Sequence, residues 1–261
     1  MKKGAIAAVL GVFLVIPWAV EAQNAKDPSV AGILSQAAAA LGGQIETVKT
    51  VRAHGTYTRF LADGKTAIYD VQMVAAGPDR VRWDVAGAGN KTKTTTVIAG
   101  NNGWIRTGGK KKPLAIDELA GKGFERFPVL LVAAWMNDAK VKLTDMGTAA
   151  DAGIQYRQLR AMRAIAQAET GNRAELLEQS TQIDCYFDTL SGLPVWIRYY
   201  ENPTKMGQTL AVDLRFSDPR NLAGVVVPMT VTISFDKQSV GVLRFDDIKV
   251  NVAVTADDFK E

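Results

Sequence analysis

The residue types most often used in catalysis are scarce in this chain. Among 261 residues, His54 is the only histidine and Cys185 the only cysteine. A Ser–His–Asp or Cys–His system would need His54 as its base, and no nucleophile-elbow sequence accompanies it. We therefore predict that His54 is an exposed strand residue. Cys185 lies in a strand-like run, where a free cysteine behaves as a small hydrophobe, so we predict a buried structural thiol.

The sequence patterns also give no support to a metal site, a phosphate-binding loop or a glycosidase site. One histidine and one cysteine cannot supply a zinc or blue-copper site. The pairs Asp246–Asp247 and Asp257–Asp258 lack the ligand spacing of a calcium loop, and no Gly-rich phosphate loop precedes a predicted helix. A glycosidase with two carboxylates stays open as an alternative, although no pattern favours it. We predict no catalytic residue, no metal site and no cofactor, and therefore a protein that is not an enzyme.

The first 22 residues have the pattern of an export signal. Lys2 and Lys3 precede an apolar run that ends at Val20, and small residues follow at the expected cleavage site. Pro17 interrupts the run, which is short for a membrane-spanning helix of about 20 residues; an uncleaved anchor is the alternative. We expect cleavage near Ala22, which would leave residues 23–261 as one soluble, exported domain.

The charge of the chain is too balanced to indicate a nucleic-acid partner. The formal net charge is +4, and the basic residues are scattered apart from the triplet Lys110–Lys112. Glycines precede this triplet, so we predict that it is a solvated turn tip. Binding to an anionic membrane surface is the alternative for these three lysines.

Apolar residues with a period of two dominate most of the chain. Val81, Trp83 and Val85 alternate with polar residues, which is the pattern of a half-buried strand. The turn sequence Asn101–Gly103 then precedes Trp104, and we expect Trp83 and Trp104 to point to one concave face. Similar segments predict about eleven antiparallel strands joined mostly by short turns, without βαβ units.

Two segments have helical patterns. The first opens at Asp27-Pro28, ends at Gly42-Gly43 and carries one apolar stripe. The stripe consists of Val30, Ile33, Leu34, Ala37, Ala38 and Leu41. The second is a short apolar helix that begins at Pro128 and lies against the sheet, either as a buried helix or as a lid over a pocket. The structure of residues 160–180 is not predicted.

Long strands with one apolar face each must curl around a core. We therefore predict a mainly β (α+β) fold: a single strongly curved antiparallel sheet, or incomplete β-barrel, with helices covering the concave face. The last strand, residues 240–254, changes phase after Phe245, and a bulge at Asp246–Asp247 would keep its apolar residues pointing inward.

The apolar side chains of the concave face are the candidate ligand-binding residues, with ordinary core packing as the alternative for each. They are Tyr69, Val71, Met73, Val81, Trp83, Trp104, Leu131, Trp135, Met136, Leu210, Val212, Leu214, Met229 and Val231.

Four segments, taken in order, resemble the periplasmic lipoprotein carriers of the LolA/LolB type. Glu46–Ala53 is similar to the segment that leads from the first helix of that family into its first strand. Pro78–Trp83 resembles its Pro-x-x-apolar-x-Trp strand, Thr96–Ile105 its next hairpin, and Val252–Phe259 its closing strand and terminal Phe. The resemblance implies an incomplete barrel of eleven strands, with helices as a lid over an apolar cavity that holds acyl chains.

The same resemblance implies a function and a location. It implies a monomeric periplasmic carrier that moves a lipid or lipoprotein toward the outer membrane, with envelope proteins as donor or acceptor. The alternative is a lipid-sensing or protein-binding module of the cell envelope that does not transport. One position departs from the family: the carriers have an Arg before the Pro of the Trp strand, where it governs lid closure and release, and this chain has Gly77.

Overall fold

The structure is a computed structural model that describes residues 28–77, 80–87, 93–100, 102–114, 127–163, 181–201 and 210–260. The predicted signal peptide and most of residues 160–180 lie outside these ranges. No helix within them is long and apolar enough to cross a membrane.

Thirteen strands of the described chain form one antiparallel sheet. They are β1 (Thr50–Phe60), β2 (Thr66–Ala76), β3 (Arg80–Gly87), β4 (Lys93–Ala99), β5 (Asn102–Thr107), β6 (Lys110–Pro113), β7 (Val141–Asp151), β8 (Ile154–Arg163), β9 (Ile183–Asp188), β10 (Pro194–Glu201), β11 (Leu210–Leu222), β12 (Val225–Phe235) and β13 (Gln238–Val250). The order in the sheet is β6-β5-β4-β3-β2-β1-β13-β12-β11-β10-β9-β8-β7.

The first and last strands meet in the middle of this sheet, because β1 pairs with β13. The edges are β6 and β7, and they do not pair with each other in the described chain, so the sheet is open. The predicted class, an incomplete antiparallel barrel, is confirmed. The strand count is thirteen instead of about eleven. The predicted turn tip Lys110–Lys112 is in fact part of the edge strand β6, although its side chains are exposed as expected.

Helices α1 (Pro28–Ala40) and α2 (Pro128–Asn137) both begin with proline. All six residues of the predicted α1 stripe are buried, while the predicted capping residue Asp27 lies outside the described ranges. The helix closes with the paired hydrogen bonds of a Schellman motif. The Gly43 N–H donates to the Ala38 carbonyl at 2.8 Å, and the Gly42 N–H donates to that of Ala39 at 3.2 Å. Val226 N–H then donates to the Leu41 carbonyl at 2.9 Å, which ties the end of α1 to β12.

The predicted bulge in β13 is confirmed. His54 pairs with Asp247 and the next residue, Gly55, pairs with Phe245, so Asp246 is the extra residue. Both Phe245 and Ile248 are consequently buried in the core although they differ in parity. The strand ends at Val250 and not at the predicted residue 254.

The main hydrophobic core lies on the face of the sheet that α1 and α2 cover, which we call the inner face. Trp83 packs at the margin of this core, whereas Trp104 belongs to a separate cluster on the outer face. The prediction that the two indoles share a face is therefore wrong. Ala99 pairs with Asn102, so two residues separate β4 from β5 instead of the three of the predicted turn. Because side chains alternate between the two faces of a strand, a connection that is one residue shorter places Trp104 on the opposite face from the one predicted.

Candidate functional site

Nine of the fourteen predicted ligand-binding residues are buried together in the inner-face core. They are Val71, Met73, Val81, Leu131, Trp135, Val212, Leu214, Met229 and Val231. Alternation along four strands and the apolar surface of α2 bring them together. This part of the prediction located the core, and buried packing accounts for these residues without a ligand.

The other five residues differ in position. Trp83 and Met136 are half-buried at the margin of the core. Tyr69 is half-buried and stacks on Tyr57, with 6.1 Å between ring centroids. Leu210 is half-buried at the first residue of β11. Trp104 packs on the outer face and is not an inner-face residue.

The inner face becomes less covered toward one end of the sheet. Val51 and Ala53 of β1 are buried, Tyr57 is half-buried and Arg59 is exposed. Along β2, which runs the other way, burial decreases from Met73 to Tyr69 in the same direction. Both strands lead to their shared turn, residues 61–65, and we call this end of the sheet the hairpin end.

Four half-buried side chains form a strip on the inner face near the hairpin end. Tyr57 is directly opposite Tyr69, Val85 is opposite Val71, and Trp83 is opposite Met73. We call Tyr57, Tyr69, Trp83 and Val85 the aromatic strip. The sequence prediction missed Tyr57 and Val85 as site residues, although the turn at Asp63–Gly64 and the alternation in β1 and β3 carried the necessary signal.

Helix α2 lies in the inner-face core and packs against α1 and β12. Seven of its ten residues are buried, and just before it Phe127 stacks on Phe245 of β13 at 5.6 Å. It follows β6 in the chain and precedes β7, so it connects the two edges of the open sheet. The segment forms a helix that is buried against the sheet, as predicted, and no residue of α2 is charged.

A small apolar recess lies where the ends of the two helices meet the sheet. It has a volume of about 70 Å³ and is lined by Leu41, Pro128, Leu193, Pro194, Val195, Phe216, Ser217, Pro219, Val226 and Pro228. This is room for only a few water molecules. An acyl chain is much larger, so it could enter this recess only if side chains or the helix moved.

The outer face carries a larger cleft, of about 630 Å³, whose rim is charged. Arg82 lies in this cleft and forms an ion pair with Asp84 at 2.7 Å, and Thr95 donates a hydrogen bond to the same carboxylate. Burial raises the pKa of Asp84, but these hydrogen bonds outweigh burial and hold the pKa below its ordinary value. The charged groups of this cleft therefore neutralise each other within the protein.

The chain after β13 packs along one side of this cleft. Phe259 is buried against Val74 and Val97, and Asp258 binds Arg52 at 2.9 Å. Asp258 also accepts a hydrogen bond from the Thr255 N–H at 2.8 Å, which forms a capping box. The bond from Thr255 and the pairing with Arg52 lower the pKa of Asp258.

This geometry predicts that acid loosens the C-terminal segment. Because the pKa of Asp258 is lower in the folded than in the unfolded chain, its carboxylate stabilises docking fully above the ordinary value of 3.8. That contribution is lost as the pH falls through the lower, folded-state pKa. We expect amide exchange of residues 252–260 to accelerate in this acid range, and Asp258→Asn to have fast exchange at neutral pH already. Unchanged exchange in Asp258→Asn would contradict the role of the carboxylate.

The two residues with the greatest potential for catalysis lie on opposite faces. His54 is about half exposed on the outer face and binds Asp70 at 2.7 Å, so the predicted exposed strand residue is confirmed. Cys185 is fully buried in the inner-face core. Burial raises the pKa of its thiol well above the ordinary value, which keeps it protonated and unreactive. The predicted structural thiol is also confirmed, and no Cys–His pair forms.

The outer face also holds a polar cluster that the sequence did not predict. Asp213 is buried, accepts two hydrogen bonds from Arg198 at 2.7 and 2.9 Å, and accepts a third from the Trp196 indole at 3.0 Å. Trp196 stacks on Tyr186 at 3.9 Å. Asp213 has partners for both carboxylate oxygens, so the cluster is a structural ion pair covered by aromatic rings.

Comparison with known proteins adds evidence on the fold. No protein-family model matches the sequence, and no curated protein matches it at a significant level. Several solved structures do match in three dimensions. A LolA superfamily protein from Nitrosomonas europaea is 13% identical, with 88% of this chain and 97% of that chain covered and a TM-score of 0.57.

Two further structures have similar scores. A domain assigned to outer membrane lipoprotein sorting, from Vibrio parahaemolyticus, is 10% identical over 87% of this chain and 94% of that chain, with a TM-score of 0.55. A DUF1329 family protein from Desulfovibrio piger is 12% identical over 90% and 98%, with a TM-score of 0.54. Identities this low are evidence for the fold alone. The open thirteen-stranded sheet with its two inner helices is thus a LolA-like fold.

Proposed function

We propose that this protein is a periplasmic carrier that binds the acyl chains of a lipid or lipoprotein on its inner face. The observation that carries the proposal is the aromatic strip, which continues the buried core as an apolar, half-buried surface toward the hairpin end. An acyl chain that lies on this strip would be removed from water by Tyr57, Tyr69 and Trp83. Tyr57, Trp83 and Val85 pack against the same core as α2, so the chain would gain further contacts where the helix moves aside.

The energetics favour a helix that moves. Each methylene removed from water contributes about 0.8 kcal/mol, or roughly 12 kcal/mol for a chain of about 15 methylenes. A carrier that gained all of this energy could not release its cargo. Displacement of α2 would expose its buried residues again, and this cost offsets part of the gain. Binding and release can then both occur at moderate affinity.

The release step would differ from that of the LolA/LolB carriers. Their Arg before the Pro of the Trp strand corresponds to Gly77, whose N–H donates to the Lys49 carbonyl at 2.8 Å. The nearby Arg80 lies over the Phe259 ring on the outer face, 5.6 Å from its centroid. Arg82 is paired with Asp84. Neither guanidinium faces the strip, so we propose that the packing of α2, and not either of these two arginines, sets the ease of release.

The experiment is a search for bound and exchangeable lipid. Native mass spectrometry of the protein purified after export should reveal co-purified lipid. A dansyl-labelled fatty acid should bind to the delipidated protein with saturable enhancement of its fluorescence. Transfer to acceptor vesicles then tests the carrier role. An empty protein that leaves the probe unbound would refute lipid binding, and binding without transfer would refute the carrier role in favour of lipid sensing.

A further inference from the structure

One arginine lies on the inner face at the end of the aromatic strip. Arg59 follows Tyr57 by two residues on β1, so the two side chains belong to the same face of the strand. Tyr57 is half-buried and Arg59 is exposed. Two residues of a strand span about 7 Å. A molecule that lies on the strip would therefore have its hairpin-side end within reach of the Arg59 guanidinium.

The residues beside Arg59 on the neighbouring strands are small. Arg59 pairs with Gly241 on β13 and with Ala67 on β2. Side chains directly opposite each other are the ones that interact across an antiparallel pair, and neither glycine nor alanine can cover or bind a guanidinium. The Arg59 side chain is therefore exposed to the space above the inner face.

The carboxylates of the adjoining turns have other partners. In the β1–β2 hairpin, Asp63 binds Lys65 at 2.8 Å, and Asp70 binds the outer-face histidine at 2.7 Å. In the turn between β12 and β13, Asp236 accepts a hydrogen bond from a backbone N–H at 3.0 Å. Within the described residues, Arg59 forms no ion pair.

Arginines elsewhere in the sheet are mostly neutralised by aspartates. Seven of them form ion pairs within the described chain: Arg52, Arg82, Arg157, Arg160, Arg198, Arg215 and Arg220. Arg59 differs from these seven, because its charge is presented without a carboxylate. It also lies beside the surface to which we assign the acyl chain.

The Tyr57 ring lies across β13 on the same side as Arg59. A Cβ atom at Gly241 would lie 2.6 Å from Tyr57 Cε2 and 2.8 Å from Tyr57 Oη. The phenol thus occupies the place of the missing side chain, and its hydroxyl lies next to the residue that pairs with Arg59. A hydroxyl and a guanidinium, which can both donate hydrogen bonds, are therefore close together at the end of the strip.

We propose that the cargo is an amphiphile with an anionic head group, a phosphate or a carboxylate, which Arg59 binds while the acyl chain lies on the aromatic strip. This inference rests on the proposed function, because it adds a head-group site to the same acyl-binding surface. A guanidinium binds two oxygens of either group in parallel. The Tyr57 ring contacts the start of the acyl chain, and its hydroxyl is placed to donate to the head group.

The test is competition with the neutral apolar fluorophore N-phenylnaphthylamine, which should bind on the strip. The competitors have alkyl chains of nearly equal length: dodecyl phosphate, dodecanoate, dodecanol and dodecyltrimethylammonium, each below its solubility limit and critical micelle concentration. The two anions should displace the fluorophore at concentrations about fivefold lower than dodecanol, and the cation should be the weakest competitor. The comparison of dodecyl phosphate with dodecanoate identifies the anionic group that the site prefers.

Variants of Arg59 assign this preference to one side chain. Arg59→Gln should remove the advantage of the anions over dodecanol and leave the affinity for the neutral fluorophore unchanged. Arg59→Lys keeps the charge without the planar fork, so it should restore part of the advantage. The matched control is Arg244→Gln, which should retain the full advantage. Arg244 is exposed on β13 and lies on the outer face, because Leu243 and Phe245 on either side of it are buried in the inner-face core.

The two proposals can fail separately in this experiment. If the fluorophore did not bind, the acyl-binding strip itself would be refuted. If it bound, but dodecanol or the cation displaced it as well as the anions do, the head-group inference would be overturned and the proposed function would stand. Equal effects of Arg59→Gln and Arg244→Gln would also overturn the inference, because the preference would then come from the net charge of the protein.

Discussion

Gly55→Ala is expected to destabilise the protein by about 3 kcal/mol, although it adds a single methyl group. A Cβ atom at Gly55 would lie 2.0 Å from the Arg244 carbonyl oxygen and 2.8 Å from the Phe245 Cα. Both neighbours are backbone atoms, so a side-chain rotation cannot relieve the clash. The bulge at Asp246 begins beside this contact, and β1 pairs with β13 in the middle of the sheet. Separation of these strands would disrupt the junction of the two halves of the fold.

The matched control is Gly32→Ala. Gly32 is an exposed residue inside α1, and a Cβ there would have no atom within 4 Å. Alanine should therefore stabilise the helix by about 0.5–1 kcal/mol. Urea unfolding followed by circular dichroism measures both changes in the free energy of unfolding. If Gly55→Ala unfolded at the same urea concentration as the unsubstituted protein, the tight β1–β13 contact would be wrong.

Periodicity was sufficient to predict the parts of the fold that depend on neighbours in the chain. The α1 stripe from Val30 to Leu41 follows from a period near 3.6, and each of its residues is buried. The bulge at Asp246 follows from the change of parity between Phe245 and Ile248. Both features satisfy one rule, that apolar side chains must reach one face, and this rule can be applied without knowledge of partner strands.

The wrong or missing predictions concern features that depend on which distant segments of the chain pair with each other. Trp104 moved to the outer face because the β4–β5 connection is one residue shorter than the turn sequence indicated. The lysines of β6 form a strand because β5 supplies a partner on one side, which local propensity does not reveal. Similarly, the sequence has many Arg and Asp residues, and nothing local selects Arg198 as the partner of Asp213. The sequence predicted the aromatic strip only in part, because Tyr57 joins it through its register with Tyr69.

Trp83 and Trp104 lie on opposite faces of the sheet, so they form a matched pair that tests the proposed function. Both indoles are half-buried and lie in the same half of the sheet, but they point to opposite faces. Trp83→Glu should weaken binding of a dansyl-labelled fatty acid at least about tenfold, because an acyl chain on the inner face would bury the new carboxylate. Trp104→Glu should leave the affinity within about twofold, since its carboxylate would lie near Arg106 and Lys111 on the outer face.

Two measurements make this comparison decisive. Thermal unfolding of both variants identifies any loss of affinity that comes from a loss of folded protein. Trp83→Phe preserves an apolar ring on the strip and should restore most of the affinity, which separates the effect of charge from that of the indole itself. Equal loss in the two glutamate variants would place the probe elsewhere than the strip. If instead only Trp104→Glu lost binding, the outer face and not the inner face would be the acyl-binding surface, and the proposal would have to be abandoned.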